Sequence, residues 1–295
     1  MEIPIIAVTG ATGQLGRLVI DSLLRLQPGV SIIAAARDPA KAADLKARGV
    51  EVRQADYDKP ETLAAAFKGV DKLLLISANE VGRRLPQHAT AIEAATKASV
   101  KFIAYTSILN GERSSLRLAE EHVATERLLA QSGIPYALLR NGWYTENETA
   151  GLLGVLAHGA FIGASGEGRY SWASREDYAE AAARVMLAED QAGRIYELAG
   201  DAGMTMGELA AETSKLAGKP IVYANLPESD YAGALRGFGL PAPVADIFAD
   251  GSAKAAGGKL FNDSHTLSKL IGRPTTPDAL SSAAPGRFTL IEVGW

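Results

Sequence analysis

Apolar and polar positions along the first half of the chain repeat one order: a short apolar run, a polar or glycine-rich turn, then a stretch with helical spacing. The run Ile3, Ile5, Ile6, Ala7, Val8 predicts a strand covered on both faces, as parallel strands are. Leu15, Leu18, Val19, Leu23 and Leu24 fall on one face of the helix that follows, and 31–36 reads as a second strand. The alternation continues with a helix at about 39–48, a strand at 50–55, a helix at 60–67, a strand at 72–76 and a helix at 85–98. A strand at 101–106, a helix at 116–131 and a strand at 136–139 complete it. Strict βα order predicts an α/β fold, a doubly wound parallel sheet of Rossmann type with right-handed crossovers, whose ligands bind beyond the carboxyl ends of the strands.

After residue 141 the alternation fades. The glycine-rich stretch 158–170 reads as a loop or hairpin, and a helix over 178–187 opens from the capping sequence Ser174-Arg175-Glu176-Asp177. A strand at 195–198, a helix at 205–216, a short strand at 221–224 and helical pieces at 228–236, 243–248 and 264–270 follow. The expected division is a Rossmann domain over 1–145, to which 172–200 returns, and a smaller α+β lobe made of 146–171 and 201–284. Residues 285–295 read as a tail.

The first strand runs straight into T-G-x-x-G-x-x-G. Gly10, Gly13 and Gly16 suit a tight turn, a close approach to a pyrophosphate, and helix packing near the sheet. The helix beginning near Gln14 would then aim its free N–H groups and its positive end at that phosphate. A glycine triplet can be a turn and nothing more, but the strand–turn–helix–strand context is the one a dinucleotide site requires. The second strand ends in Arg37 and not in the acid that would bind a ribose 2′-hydroxyl. That favours NADP(H), whose 2′-phosphate a guanidinium can hold, against the alternative of a solvated surface arginine. Asp56 and Tyr57, Ser77 to Asn79, Thr106 and Ser107, and 140–146 stand at successive strand ends. They either line one dinucleotide or serve as caps and turns.

Composition narrows the chemistry further. With 295 residues, 47% hydrophobic and 22% charged, the chain is an ordinary globular protein of one large or two modest domains. A net charge of -4 without a basic run argues against nucleic acid as a partner. No cysteine is present, which removes disulfides and thiol chemistry, and the four histidines lack metal-ligand spacing, so no metal is expected. No apolar run is long enough to cross a membrane and no leader pattern precedes the first strand, so a cytoplasmic protein is expected.

The runs AVTGATGQLG, VRQADYDKP, KLLLIS, PQH, VKFIAYTS, LLRNGWYTEN, RIYELAGD and HTLSKLIGRPTT resemble the NmrA-like atypical short-chain dehydrogenases. Within that group they closely resemble the bacterial type 2 NAD(P)H:quinone oxidoreductases, with the triphenylmethane reductases as near relatives. The resemblance implies a pyrophosphate loop at 10–15 (Gly10, Ala11, Thr12, Gly13, Gln14 and Leu15), a 2′-phosphate contact at Arg37, and a nicotinamide border made by Ser77, Ala78 and Asn79 together with Asn141, Gly142, Trp143, Tyr144, Thr145 and Glu146. Ordinary short-chain dehydrogenases carry Tyr-x-x-x-Lys on a helix, the Tyr protonating a carbonyl oxygen. Alignment of the helix after YTS puts Leu118 at the Tyr position and His122 at the Lys position, so the general acid is missing. The catalytic residues are therefore unassigned, with His122 the one candidate.

His122 could hold the nicotinamide ribose and touch Glu126 four residues on, or the two could be a surface pair. Trp143 and Tyr144 read either as platforms for a planar acceptor or as cover at the lobe junction. The implied activity is hydride transfer from NADPH to a quinone in the interlobe cleft without a protein acid. With one phosphate loop, no flavin is expected. An NADP-binding redox sensor without turnover and a reductase of triphenylmethane-type dyes are the alternatives, and a homodimer is left open.

Overall fold

The computed structural model describes residues 4–276, so Ile3, the expected tail 285–295 and the end of the expected small lobe lie outside the described residues. The first half alternates as its pattern requires: β1 (Ile5–Thr9), α1 (Gln14–Leu26), β2 (Ser31–Ala36), α2 (Ala43–Ala47), β3 (Glu51–Gln54), α3 (Pro60–Ala66), β4 (Lys72–Leu75), α4 (Arg84–Lys97), β5 (Phe102–Ile108), α5 (Ala119–Gln131) and β6 (Tyr136–Asn141). The order goes on with α6 (Thr145–Thr149), α7 (Leu152–His158), β7 (Ala160–Gly163), β8 (Arg169–Tyr170), α8 (Arg175–Leu187), β9 (Ile195–Leu198), β10 (Met204–Thr205), α9 (Met206–Ala217), β11 (Val222–Asn225), α10 (Glu228–Gly237), α11 (Ala242–Ala255) and α12 (Thr266–Ile271).

The main sheet is parallel throughout, in the order β3-β2-β1-β4-β5-β6-β9. Its strands are apolar on both faces because each face meets helices. Ile6 and Val8 of β1, Leu74 of β4, Ala104 of β5 and Leu139 of β6 enter one buried cluster with α1 and α8. Their neighbours Ala7, Leu73, Leu75, Ile103, Tyr105 and Leu138 enter the opposite cluster with α3 and α4. Each such Leu contributes roughly 1.5–3 kcal/mol by leaving water, and truncating Leu74 to Ala would cost about 2–5 kcal/mol with its cavity. Chain order reverses between β1 and β4, the switch point at which open parallel sheets form a crevice.

The second half departs from expectation in three places. The stretch expected as loop or hairpin forms β7 and β8, which do not pair with each other. β7 runs parallel to β11, and β8 runs antiparallel to β10, because the glycines between them turn the chain away from a hairpin. Residues 145–158 fold as α6 and α7, unforeseen because helices of 5 and 7 residues are too short to show a helical period. α12 leaves the small lobe, as Leu267 and Ile271 are buried with α8 in the sheet cluster.

The capping sequence before α8 behaves as read: the Ser174 hydroxyl accepts from the Asp177 N–H at 3.1 Å. α9 opens with a full capping box, Thr205 and Glu208 each accepting the other's N–H. The core of the small lobe gathers Trp143, Leu152, Phe161, Tyr170, Trp172, Met206 and Leu209.

Candidate functional site

The three glycines have three different jobs. Gly10 takes a φ of +59°, which a side chain disfavours, and turns the chain as β1 ends. Gly13 donates its N–H to the Gly10 carbonyl at 2.9 Å and is the N-cap of α1, where it offers no side chain to occupy the first-turn N–H groups. At Gly16 a Cβ would stand 2.3 Å from the Gly10 carbonyl oxygen, so only glycine lets α1 lie this close to the turn. Ala11 and Leu15 point into the core, while Gly10, Gly13 and Gln14 are exposed and Thr12 is half-exposed. The turn therefore presents backbone, a bare helix terminus shaped for an anion.

Arg37 stands at the end of β2 with 69% of its side chain exposed. It is not without an acidic neighbour: Glu80, from the loop after β4, lies 3.2 Å away and also holds Arg83 at 2.9 Å. Arg83 reaches Asp58 at 2.8 Å, so a chain of alternating charges edges the crevice. The sequence spacing gave no sign of Glu80, because the pair joins β2 to a loop 43 residues later. Thr9 closes the switch point. Its hydroxyl accepts from Tyr57 Oη at 2.7 Å and from the Ile76 N–H at 2.9 Å, which ties β1 to the end of β4.

The segment Ser77–Asn79 is held from behind. The Ser77 N–H donates to Thr106 Oγ1 at 2.9 Å, and the Ala78 N–H donates to His88 Nε2 at 2.9 Å. His88 must then carry its proton on Nδ1, which meets Thr125 Oγ1 at 2.9 Å. Burial depresses His88 to about 3, with the Arg84 charge adding to the effect, so the ring is neutral. Arg84 Nε donates to the Ala78 carbonyl, and Glu121 pairs with Arg84 at 3.3 Å. Of these supports the sequence singles out Thr106 alone, as a strand-end residue. For the rest, the PQH run was the only signal, and it named no role.

His122 and Glu126 make no hydrogen bond to each other, and both are buried, so they are not a surface pair. His122 Nδ1 meets Tyr105 Oη at 2.8 Å in the core, and burial holds its pKa well below the usual range. Glu126 instead accepts from Ser107 Oγ at 2.6 Å and from Arg140 Nε and Nη2 at 2.9 and 2.6 Å. Arg140 also donates to Glu197 at 2.9 Å. These hydrogen bonds satisfy a buried carboxylate, and Gly111 makes room for them, since a Cβ there would lie 2.2 Å from Arg140 Cζ. A guanidinium from the next strand outcompetes a neutral imidazole for the carboxylate.

Beyond β6, Asn141 Nδ2 donates to Tyr144 Oη at 3.3 Å, while its buried Oδ1 has no hydrogen-bond partner among the described residues. Arg175 lies over the Tyr144 ring at 4.5 Å, and its N–H donates to Glu146 at 2.9 Å. Glu146 thus fixes the start of α8. Thr145 is buried, and its N–H donates to Ala173 O at 2.9 Å; Gly142 has no room for a Cβ beside Tyr178 Oη at 3.0 Å. Trp143 turns into the small lobe, against Phe248 at 5.5 Å between centroids, and donates Nε1–H to Glu148 at 2.9 Å. Glu148 went unnoticed in the sequence because only the tertiary packing surrounds it with rings.

The glycine turn, Arg37, Ser77–Asn79 and Asn141–Glu146 all stand at the carboxyl edge of the sheet, on β1, β2, β4 and β6. The bare helix terminus and the unpartnered Asn141 Oδ1 fit a dinucleotide laid across that edge. No helix among the described residues is long and apolar enough to cross a membrane.

Comparison with known proteins bears on the same edge. The NAD(P)H-binding family model matches residues 10–189. Quinone oxidoreductase 2 of Escherichia coli (strain K12) is 55% identical over 271 residues, 92% of this chain and 95% of that protein. The crystal structure of the Escherichia coli NADPH-dependent quinone oxidoreductase complexed with NADPH superposes with a TM-score of 0.91, covering 94% of this chain and 98% of that one. Triphenylmethane reductase of Citrobacter sp., complexed with NADP(H), is 39% identical with a TM-score of 0.90, covering 94% and 99%. With its parallel sheet, its glycine turn and these likenesses over nearly its whole described length, the chain belongs to the NmrA-like NAD(P)H-binding family.

Proposed function

We propose that the protein is an NADPH-dependent oxidoreductase that reduces a quinone held between the sheet edge and the small lobe, with no side chain acting as general acid. The observation that carries this reading is the surface where a ketone reductase keeps its proton donor. Leu118 stands there as the residue before α5, and the His122 ring is turned to Tyr105 in the core. A ketone reduced here would leave an alkoxide without a positioned donor, whereas a reduced quinone spreads its charge over a phenolate that solvent can protonate.

The dinucleotide supplies the hydride when bound. The chain's own residues bind and orient. The N–H groups at the start of α1 face the pyrophosphate, Arg37 faces the 2′-phosphate, and Ser77 to Asn79, braced by His88 and Arg84, give one wall. Asn141 offers its carboxamide oxygen on the other side. Holding two reactants in a fixed approach is a large part of what such a site contributes to rate. The 55% identity with a quinone oxidoreductase and the structural match to its NADPH complex support the reading. The experiment is NADPH oxidation with a panel of benzoquinones and naphthoquinones. Many turnovers per protein are expected, and binding of NADPH without turnover would contradict the proposal.

A further inference from the structure

A second recess lies inside the small lobe, lined by Trp143, Glu148, Ile162, Gly163, Tyr170, Met206, Tyr231, Phe248 and Ser252. Most of these side chains are buried, and no lysine or arginine is among them. Glu148 accepts one hydrogen bond, from Trp143 Nε1 at 2.9 Å, and no lysine or arginine of the described residues pairs with it. The buried acids among the described residues differ: Glu126 is held by Arg140 and Ser107, Asp177 by Arg273 and Thr276, Glu180 by Arg184 and Arg273, and Asp250 by Arg117. Glu148 is the acid whose remaining lone pairs face a cavity.

The walls of that cavity are largely aromatic. The Trp143 ring is seated on Gly251, where a Cβ would come within 2.8 Å, and meets Phe248 edge-on at 74°. Tyr170 is stacked on Trp172 at 4.6 Å, which fixes its orientation. A carboxylate at one end and aromatic faces around it is the combination that binds organic cations. A neutral ligand would leave the carboxylate's charge unpaired in a dry recess, which is costly.

We propose that this recess is a subsite for the protonated amine head of an aromatic ligand, the Glu148 carboxylate holding the ammonium and Trp143, Tyr170, Tyr231 and Phe248 enclosing it. The inference goes beyond quinone reduction and holds whether or not quinones are turned over. The recess has room for one water-sized group, about 10 Å³, so the ammonium head alone is the part of the ligand it can take and a bulky quaternary head is excluded. Burial pushes Glu148 up to about 7 while the hydrogen bond from the Trp143 indole N–H pulls it down, so the recess by itself resists the charge that a cation would restore. Other titratable groups pack around the recess. Tyr170 on β8 and Tyr231 on α10 are buried phenols shifted upward, Tyr223 on β11 is hydrogen-bonded to Ser165, Glu146 on α6 is tied to Arg175, and Asp250 on α11 is tied to Arg117.

The test is calorimetric titration of the intact protein with benzylammonium, with benzyl alcohol as the neutral comparator. At about pH 8 benzylammonium is expected to bind at least roughly tenfold more tightly than the alcohol, the scale of one desolvated cation–π and carboxylate contact. That preference is expected to fall to about twofold or less at pH 5.5, where Glu148 holds its proton, and in Glu148→Gln at either pH. Phe248→Leu, which keeps the carboxylate, is expected to weaken benzylammonium severalfold without changing the alcohol. Equal binding of the two ligands, no binding of either, or a cation preference that survives Glu148→Gln in a variant with unchanged circular dichroism would overturn the proposal. Tighter binding of the neutral ligand at low pH would also overturn it, making Glu148 a neutral donor.

Discussion

Tyr105 Oη and His122 Nδ1 meet at 2.8 Å beneath β5, and that contact takes the histidine out of the crevice edge and into the core. A neutral imidazole partnered by a phenol cannot deliver a proton without first being charged in a buried place. His88, fully buried beside it and accepting from the Ala78 N–H, is neutral for the same reason.

Buried neutral histidines make the fold acid-sensitive. The folded pKa of His88 is depressed to about 3 against an ordinary 6.5, so the unfolded chain takes up the proton first. Its stabilisation is complete above pH 6.5 and is lost as pH falls through about 3; His122 acts in the same direction. Denaturant midpoints should fall steadily below pH 6.5, by an amount on the order of 3–5 kcal/mol for His88 alone. A midpoint unchanged between pH 7 and pH 4 would count against neutral buried rings.

Cofactor choice should depend on the Arg37–Glu80 pair. Losing a charge-assisted contact costs on the order of 1.5–3 kcal/mol, so Arg37→Ala should weaken NADPH by roughly ten- to a hundredfold and leave NADH nearly unchanged. Glu80 competes for the same guanidinium at 3.2 Å. Because the pair is exposed, Glu80→Gln should tighten NADPH only a few-fold. Fluorescence titration of both cofactors against both variants decides this, and equal losses for NADPH and NADH in Arg37→Ala would remove the 2′-phosphate role.

The glycines of the turn should separate binding from folding. Gly13→Val puts a side chain at an exposed helix start, where a Cβ comes 3.2 Å from the Gly10 carbonyl; the fold should survive and cofactor binding should vanish. Gly16→Val meets backbone at 2.3 Å and should lower stability by roughly 1–3 kcal/mol or more through overpacking. Melting temperature and NADPH affinity, measured on both, should split in that way. A Gly13→Val variant that binds NADPH normally would reduce the motif to a turn.

The Arg140–Glu126 pair should be a structural keystone. Arg140→Met strands a buried carboxylate and should cost about 3–5 kcal/mol, whereas Glu126→Gln, which sets one amide N–H against an Arg140 N–H but leaves Arg140 paired with Glu197, should cost less. Equal losses in chemical denaturation would show that the charge is not what matters.

Much of this architecture was legible in the sequence, and the reason is local. Runs such as 5–8 and 73–75 are apolar on every residue, and a doubly covered strand satisfies that, so sheet and helices followed from period. The glycine turn was legible because its geometry lies within seven residues. What stayed hidden depends on chain segments far apart. Glu80 meets Arg37 across 43 residues, and Arg140 takes Glu126 from the histidine on its own helix. Glu148 acquires its meaning from rings contributed by residues 143, 170, 231 and 248. The short strands β7 and β8 failed for the same reason, since each is defined by a distant partner and not by its own pattern.

The claim that hydride transfer proceeds without a protein acid is tested most directly by single-turnover oxidation of NADPH deuterated at the transferred position, mixed with a naphthoquinone, in the parent protein and in folded His122→Gln. General acid catalysis supplies about 10²- to 10⁴-fold, so a rate changed by less than roughly tenfold, with the isotope effect retained, is the predicted result. A loss above about a hundredfold in the maximal rate with NADPH affinity intact would make His122 a proton donor and contradict the account.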